Sequence, residues 1–190
     1  MTIGVLALQG DFKEHVDKLS GIGVPAAEVR LPGELGGLSG LIIPGGESTT
    51  FRKLAAAYGL IEPLRAFGRR HAVWGTCAGA IALARDIGSE PPLLGLMDMT
   101  VARNFFGRQV DSFEADLEIA PLHPRAFHGV FIRAPAILSV GSGVEVLSRL
   151  AGGPIVAARE QHWLATCFHP ELTADDRLHR LFAEMAEEQG

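Results

Sequence analysis

One cysteine stands in a setting that could make it a nucleophile. In Gly75-Thr76-Cys77-Ala78-Gly79 it lies among small residues, after the apolar run AVWGT and before AGAIALAR. A strand entering and a helix leaving such a turn is the layout of a nucleophile elbow, where small neighbours permit a strained backbone. The turn also seats the sulfur at a helix start, whose positive end suits an anionic nucleophile. On this motif alone the competing reading is a small buried cysteine in a tight turn.

A base for that sulfur is present in Phe168-His169-Pro170-Glu171. His169 follows the apolar run LATCF and so falls at the C-terminal end of a strand, the edge where open α/β sheets build their sites. Glu171, two residues on, can reach the imidazole nitrogen facing away from the sulfur and so fix tautomer and orientation. Pro170 stiffens the link between them. Alone, His169 reads equally well as a core or capping histidine; beside the elbow, the catalytic reading wins.

A third segment, Pro44-Gly45-Gly46-Glu47-Ser48, closes another short apolar run. Two glycines let the backbone approach a ligand, and the N–H groups of Gly46 and Ala78 could together hold an oxyanion. The segment lacks the lysine of a phosphate loop. Its plain alternative is a strand–helix turn capped by Ser48. Other candidates read as structural: Gly141-Ser142-Gly143 as a turn, His123 and His128 as surface histidines without carboxylates at metal spacing, Cys167 as strand packing, and His15 and His179 as exposed or capping positions on helices.

The elements that must position these groups follow from short apolar runs alternating with amphipathic stretches, the pattern of a mainly parallel sheet covered by helices. Strands are expected over 3–8, 26–31, 40–44, 72–76 and 162–168. Helices are expected over 49–58, 61–70 and 79–85, with a further one carrying Phe12, Val16 and Leu19. In the last helix Leu178, Leu181, Phe182 and Met185 share a face. Residues 97–159 read as antiparallel additions to the sheet, with a loop-rich insert around 103–118. No repeat or linker interrupts the 190 residues, which suit a single domain over 1–190.

Composition narrows the class. A formal net charge of −5 argues against nucleic acid as the main partner. The opening apolar stretch is too short to span a membrane and lacks a basic start, so no membrane association is expected and the cytoplasm is the expected compartment. With two cysteines there is neither a disulfide framework nor a zinc pattern, and neither a metal nor a cofactor is expected.

With elbow, His-x-Glu and double-glycine turn in hand, the chain resembles the class I (triad) glutamine amidotransferases and, more narrowly, the glutaminase subunits of pyridoxal 5′-phosphate synthases. The resemblance runs through LALQGDFKEH (6–15), PGGESTTF (44–51), WGTCAGAI (74–81), RNFFGRQVDSFE (103–114), VFIRAP (130–135) and FHPELTADDRLHRLF (168–182). It implies a flavodoxin-like, three-layer α/β fold with a mixed, mostly parallel sheet flanked by helices. It implies that Cys77, His169 and Glu171 form a triad, that Gly46, Glu47 and Ser48 contact glutamine, and that Arg103, Ile132 and Arg133 hold the backbone end of that substrate. An arginine suits an α-carboxylate as a planar bidentate donor. Gln9 is implied at the partner-facing side, helping to set the oxyanion turn. The activity implied is hydrolysis of L-glutamine to glutamate and ammonia, a linear-amide hydrolase serving a glutamine-hydrolysing lyase complex. A barrel-shaped synthase subunit is the implied protein partner. The chain departs from the family pattern at Ala158-Arg159-Glu160-Gln161-His162 and at Phe105.

Three other readings compete. A sister amidotransferase of histidine or nucleotide synthesis would keep the triad, but GGESTT, RNFFGRQVDSFE and FIRAP favour the vitamin B6 branch. A cysteine peptidase or chaperone of related fold typically follows its cysteine with histidine, where this chain has Ala78. A binding module without activity is disfavoured because every triad member is present.

Overall fold

A computed structural model describes residues 1–88, 90–107 and 112–189. Its first half alternates strand and helix: β1 (Ile3–Leu6), α1 (Phe12–Gly21), β2 (Ala26–Val29), β3 (Gly40–Ile43), α2 (Ser48–Ala57), α3 (Ile61–Gly68), β4 (Ala72–Thr76) and α4 (Ala78–Leu83). Strands then dominate: β5 (Ala84–Asp86), β6 (Met97–Ala102), β7 (Ser112–Leu117), β8 (Phe127–Ile132), β9 (Ala136–Val140), β10 (Glu145–Arg149), β11 (Ile155–Glu160) and β12 (Trp163–Thr166), before α5 (Arg177–Glu187).

The main sheet runs β2-β1-β3-β4-β12-β11-β9-β6-β5, with β10 paired to β11. From β2 to β12 every pairing is parallel; β11 reverses direction, and the pairs β11–β12, β11–β9 and β6–β9 are antiparallel. In β1, β3 and β4 every residue is buried, as expected of strands covered on both faces. In β6 burial alternates residue by residue, the mark of a strand with one wet face. Helices flank the sheet, so the fold is the mixed, mostly parallel α/β architecture expected from the sequence.

Packing accounts for the ends of several elements. On α5, Leu178, Phe182 and Met185 are buried as expected, but Leu181 is only partly covered and His179 is buried instead. Each such apolar side chain contributes about 1.5–3 kcal/mol when fully buried. The helix expected over 79–85 stops at Leu83, because Ala84 and Asp86 pair with Met97 and Thr100 as the edge strand β5. The insert expected to be loop-rich contains β7, which pairs with β8 in a separate two-stranded ribbon from Ser112↔Ile132 to Leu117↔Phe127. Stacking of Phe113 on Phe131, with ring centroids 4.5 Å apart, fixes one face of that ribbon. Residues 108–111 of the RNFFGRQVDSFE segment lie outside the described residues. The hairpin between β11 and β12 turns through Gln161, with φ 54°, and His162.

Candidate active site

Register in the parallel half of the sheet decides which side chains meet. Thr76 of β4 lies opposite Thr166 of β12, and Gly75 opposite Ile43 of β3. Neighbouring β1 is aligned with β3 through Val5 and Ile42. Four strands therefore release their next residues at one edge: Gln9 to Asp11 after β1, Pro44 to Ser48 after β3, Cys77 after β4, and Phe168 to Glu171 after β12.

The elbow is strained where the sequence suggests strain. Cys77 has φ 47° and ψ −105°, a combination L-residues avoid, and its N–H donates to the Thr166 carbonyl at 2.8 Å. Gly79 packs against the Ile43 carbonyl so closely that a side chain there would overlap it. Only 6% of Cys77 is exposed, yet it lines a cleft of about 370 Å³ together with His169, Gly46, Arg103 and Arg133.

The Cys77 and His169 side chains line the same cleft and both crowd the space beside Gly45, so sulfur and ring are neighbours. On the far side of the ring, His169 Nδ1 donates to Glu171 Oε1 at 2.7 Å. Sulfur, imidazole and carboxylate thus stand in series, an order that can move a proton from thiol to ring and hold the resulting charge. The backbone N–H of His169 donates to the Val130 carbonyl of β8, which pins the segment from below.

Residues absent from the sequence-based site join it. Asp11 Oδ2 lies 3.2 Å from the same His169 Nδ1. Asp11 stands at the N-cap of α1 yet makes no capping bond, because its carboxylate is turned to the imidazole. One turn on, His15 Nε2 lies 3.3 Å from Glu171 Oε2, and further along Lys18 Nζ donates to the Thr173 carbonyl. Asp11, His15 and Lys18 are spaced i, i+4, i+7 and share one helix face. Asp11 and His15 fall within the LALQGDFKEH segment, whose residues carried no chemical assignment beyond Gln9, and Lys18 lies outside it.

Electrostatics follow from this packing. Burial disfavours charge on His169, but bonds with Asp11, Cys77 and Glu171 outweigh it and raise its pKa well above the ordinary imidazole value. Burial raises the Glu171 carboxyl, against the lowering effect of His169. The His169 bond lowers Asp11, against burial. Asp11, His169 and Glu171 bring one ligand atom each within 4.8 Å of one another. A single shared Nδ1 proton explains that closeness, and no metal is needed to account for it.

The double-glycine turn is held by Gln9, whose Oε1 accepts from the Glu47 N–H at 2.9 Å and whose Nε2 donates to the Gly45 carbonyl at 3.4 Å. Gly46 has φ +136°, and a side chain on Gly45 would run into the His169 ring. Glu47, not Ser48, caps α2: its carboxylate accepts from the N–H groups of Thr49 and Thr50, which lowers its pKa to about 2. Gly46 and Ala78, the two expected oxyanion donors, both line the cleft, as do Glu47, Ser48 and Ile132. Arg103 reaches it from the end of β6, with Nη2 donating to Thr49 Oγ1 at 2.9 Å and Nη1 to Glu90 Oε1 at 3.1 Å. Arg133 enters after β8 with φ 42°.

Of the histidines set aside as structural, His123 and His128 are exposed as expected, and two others differ. His15 and His179, expected to be exposed or capping, are both wholly buried and hydrogen-bonded to each other at 2.9 Å. His128 does have carboxylate partners, Asp116 at 3.0 Å and Glu114 at 2.9 Å, because the β7–β8 register sets them beside it. Cys167 is buried, and burial pushes its thiol pKa far up, away from reactivity.

Comparison with known proteins places this geometry. Across residues 5–188 the chain matches the sequence model of the SNO glutamine amidotransferase family. It is 54% identical over 189 residues to the pyridoxal 5′-phosphate synthase subunit PdxT of Roseiflexus castenholzii, covering 97% of this chain and 100% of that protein. The corresponding subunit of Thermus thermophilus is 56% identical over 188 residues, with 97% of each covered. A crystal structure of a glutamine amidotransferase superposes with a TM-score of 0.91 at 53% identity, covering 97% of this chain and 98% of the other. On the extent of these matches, the chain belongs to the SNO glutamine amidotransferase family.

Proposed function

We propose that the chain, as one glutaminase domain, hydrolyses L-glutamine to L-glutamate and ammonia, with Cys77 as nucleophile, His169 as acid and base, and Glu171 as the group that orients the imidazole. One observation carries the reading: Cys77 and His169 flank Gly45 in one cleft, with Glu171 bonded to the far side of the ring, and the same cleft presents Arg103 and Arg133. Cys77 Sγ attacks the side-chain amide carbon, and the carbonyl π electrons move onto oxygen, stabilised by the N–H groups of Gly46 and Ala78. His169 gives its proton to the amide nitrogen; the C–N bond breaks, ammonia leaves and a thioester remains. Water, deprotonated by His169, attacks the thioester and displaces the Cys77 sulfur, which restores the enzyme and frees glutamate.

Glu47, Ser48, Ile132 and the two arginines are the substrate contacts in this reading, Arg103 and Arg133 meeting the α-carboxylate. The relatives named as pyridoxal 5′-phosphate synthase subunits support a further step. The ammonia passes to a barrel-shaped synthase subunit that makes pyridoxal 5′-phosphate, and docking of that subunit raises the glutaminase rate, with Gln9 helping to set the oxyanion turn. A thiol nucleophile suits the reducing cytoplasm. Among the described residues no helix is long and apolar enough to cross a membrane.

Glutamate release by the chain, with and without the synthase subunit, tests this. Cys77→Ala should abolish release while leaving the thermal melt unchanged. Sustained turnover in that variant would end the proposal, and an unchanged rate on adding the synthase subunit would remove its regulatory part.

A further inference from the structure

Behind the catalytic carboxylate lies a buried pair of histidines that the mechanism does not use. His15 on α1 and His179 on α5 are 164 positions apart in sequence, and their rings meet with Nδ1 of His15 2.9 Å from Nε2 of His179. The other nitrogen of His15, Nε2, lies 3.3 Å from Glu171 Oε2 and 3.3 Å from Thr76 Oγ1, the residue before the nucleophile. Trp74 of β4 packs edge-on against both rings, at centroid distances of 5.6 Å and 5.0 Å.

Burial and the neighbouring His179 and His169 hold the His15 pKa well below its usual value, and burial and Lys18, only partly opposed by Asp176, hold that of His179 at about 3. Both rings are therefore neutral, with one N–H each. His15 Nε2 is hydrogen-bonded to Thr76 Oγ1 and also lies beside the Glu171 carboxylate; a lone pair there would face the carboxylate, so that nitrogen carries the hydrogen and Thr76 Oγ1 accepts it. His15 Nδ1 must then accept, and His179 Nε2 donates to it. This leaves His179 Nδ1 as a bare acceptor, and it is indeed buried without a partner. The opposite assignment would strand a buried N–H and set lone pair against carboxylate, at greater cost.

We infer that His15 is a positioning residue for the triad: its Nε2–H, fixed in that tautomer by His179, faces Glu171 Oε2 and keeps the carboxylate ionised and turned so that Oε1 meets His169. The inference rests on the glutaminase reading above. It explains how a carboxylate buried at 4% exposure, whose Oε2 has no close and well-aligned donor, stays charged. The charged and titratable groups around it are His169, Asp11, His15 and, through His179, Lys18 and Asp176.

The test pairs kinetics with spectroscopy. His15→Leu removes the donor, while His15→Gln sets an amide N–H near the position of the lost Nε2–H. Measured with the synthase subunit present, His15→Leu should lower kcat roughly tenfold, the loss of one N–H dipole facing a buried carboxylate. KM for glutamine should be unchanged, and the acid limb of the kcat profile should move to higher pH because Glu171 then protonates more readily. His15→Gln should recover most of the rate and the original limb. Wild-type kcat and acid limb in His15→Leu would overturn the inference, as would equal losses in both variants with an unmoved limb. If His15→Leu does not fold, ¹⁵N imidazole spectra of the unaltered full-length chain decide the matter. Neutral Nε2–H tautomers for His15 and His179 at neutral pH support it, and a charged or Nδ1–H His15 refutes it. Those spectra need no turnover, so an absence of glutaminase activity in the wild type would sink the functional reading and leave this result standing.

Discussion

Exchanging Glu171 for glutamine keeps the size of the side chain and removes its charge, and the surroundings set the expected cost. The native carboxylate accepts from His169 Nδ1 at 2.7 Å, and its other oxygen lies 3.3 Å from His15 Nε2 without an aligned hydrogen bond. If the amide oxygen of the variant faces His169, its NH₂ is turned toward His15. In serine triads, loss of the orienting carboxylate charge lowers kcat by about 10⁴-fold because the wrong tautomer results. Here Asp11 Oδ2, 3.2 Å from the same Nδ1, still selects the right one. Glu171→Gln should therefore lower kcat by only about 10²–10³-fold, some 2.7–4 kcal/mol of transition-state stabilisation. Asp11→Asn alone should cost less than tenfold, roughly, since the shorter bond remains. The double variant should approach the full 10⁴-fold loss. Steady-state glutamate release at saturating glutamine, with the synthase subunit added and a thermal melt on each protein, reads all three. A Glu171→Gln rate close to that of the wild type, or a double variant no slower than Glu171→Gln, would refute the sharing of Nδ1 between two carboxylates.

Other expectations concern the cleft wall and the scaffold. Arg103→Ala should raise KM for glutamine about ten- to hundredfold with little change in kcat, the loss of a charged donor to the α-carboxylate; an unaltered KM would remove Arg103 from the substrate contacts. Gly45→Ala places a methyl against the His169 ring and Cys77 Cβ, and displacement of the base should lower kcat by about 10²-fold with the fold retained. Arg177 donates to the carbonyls of Leu122, Arg125 and Ala126 and to the Asp175 carboxylate. Arg177→Ala should cost about 2 kcal/mol in denaturant unfolding at neutral pH. Burial works against the Asp175 charge, but Arg177 holds its carboxyl pKa below the ordinary value. The contribution of that pair is present above the unfolded-state pKa and vanishes as pH falls through the folded-state one, so the gap between wild type and variant should narrow on acidification.

What could be read from the sequence was what local chemistry dictates. Small residues around Cys77, a proline between His169 and Glu171, and paired glycines after an apolar run are constraints a short window displays. Strands buried on both faces, such as β1, β3 and β4, show themselves as unbroken apolar runs. Asp11, His15 and His179 could not be found this way, because their partners lie far off in the chain and a histidine on an amphipathic helix looks the same whether it faces core or water. The carboxylates beside His128 were hidden for a related reason: they sit on the neighbouring strand, and strand register is not written in either segment alone. The edge strand β5 reads from sequence as the end of a helix, because ALAR suits both and only pairing with β6 decides.

The face that α1 turns to the His169–Thr173 segment has a consequence for how this family can vary. Each residue added to a helix rotates everything after it by about 100°. One residue inserted just after Asp11 would swing both His15 and Lys18 away from their partners while leaving composition and helix propensity almost untouched. The spacing within this helix is thus as much an inherited trait as the residues themselves, and length changes between relatives should collect before position 11 or after position 18, never between.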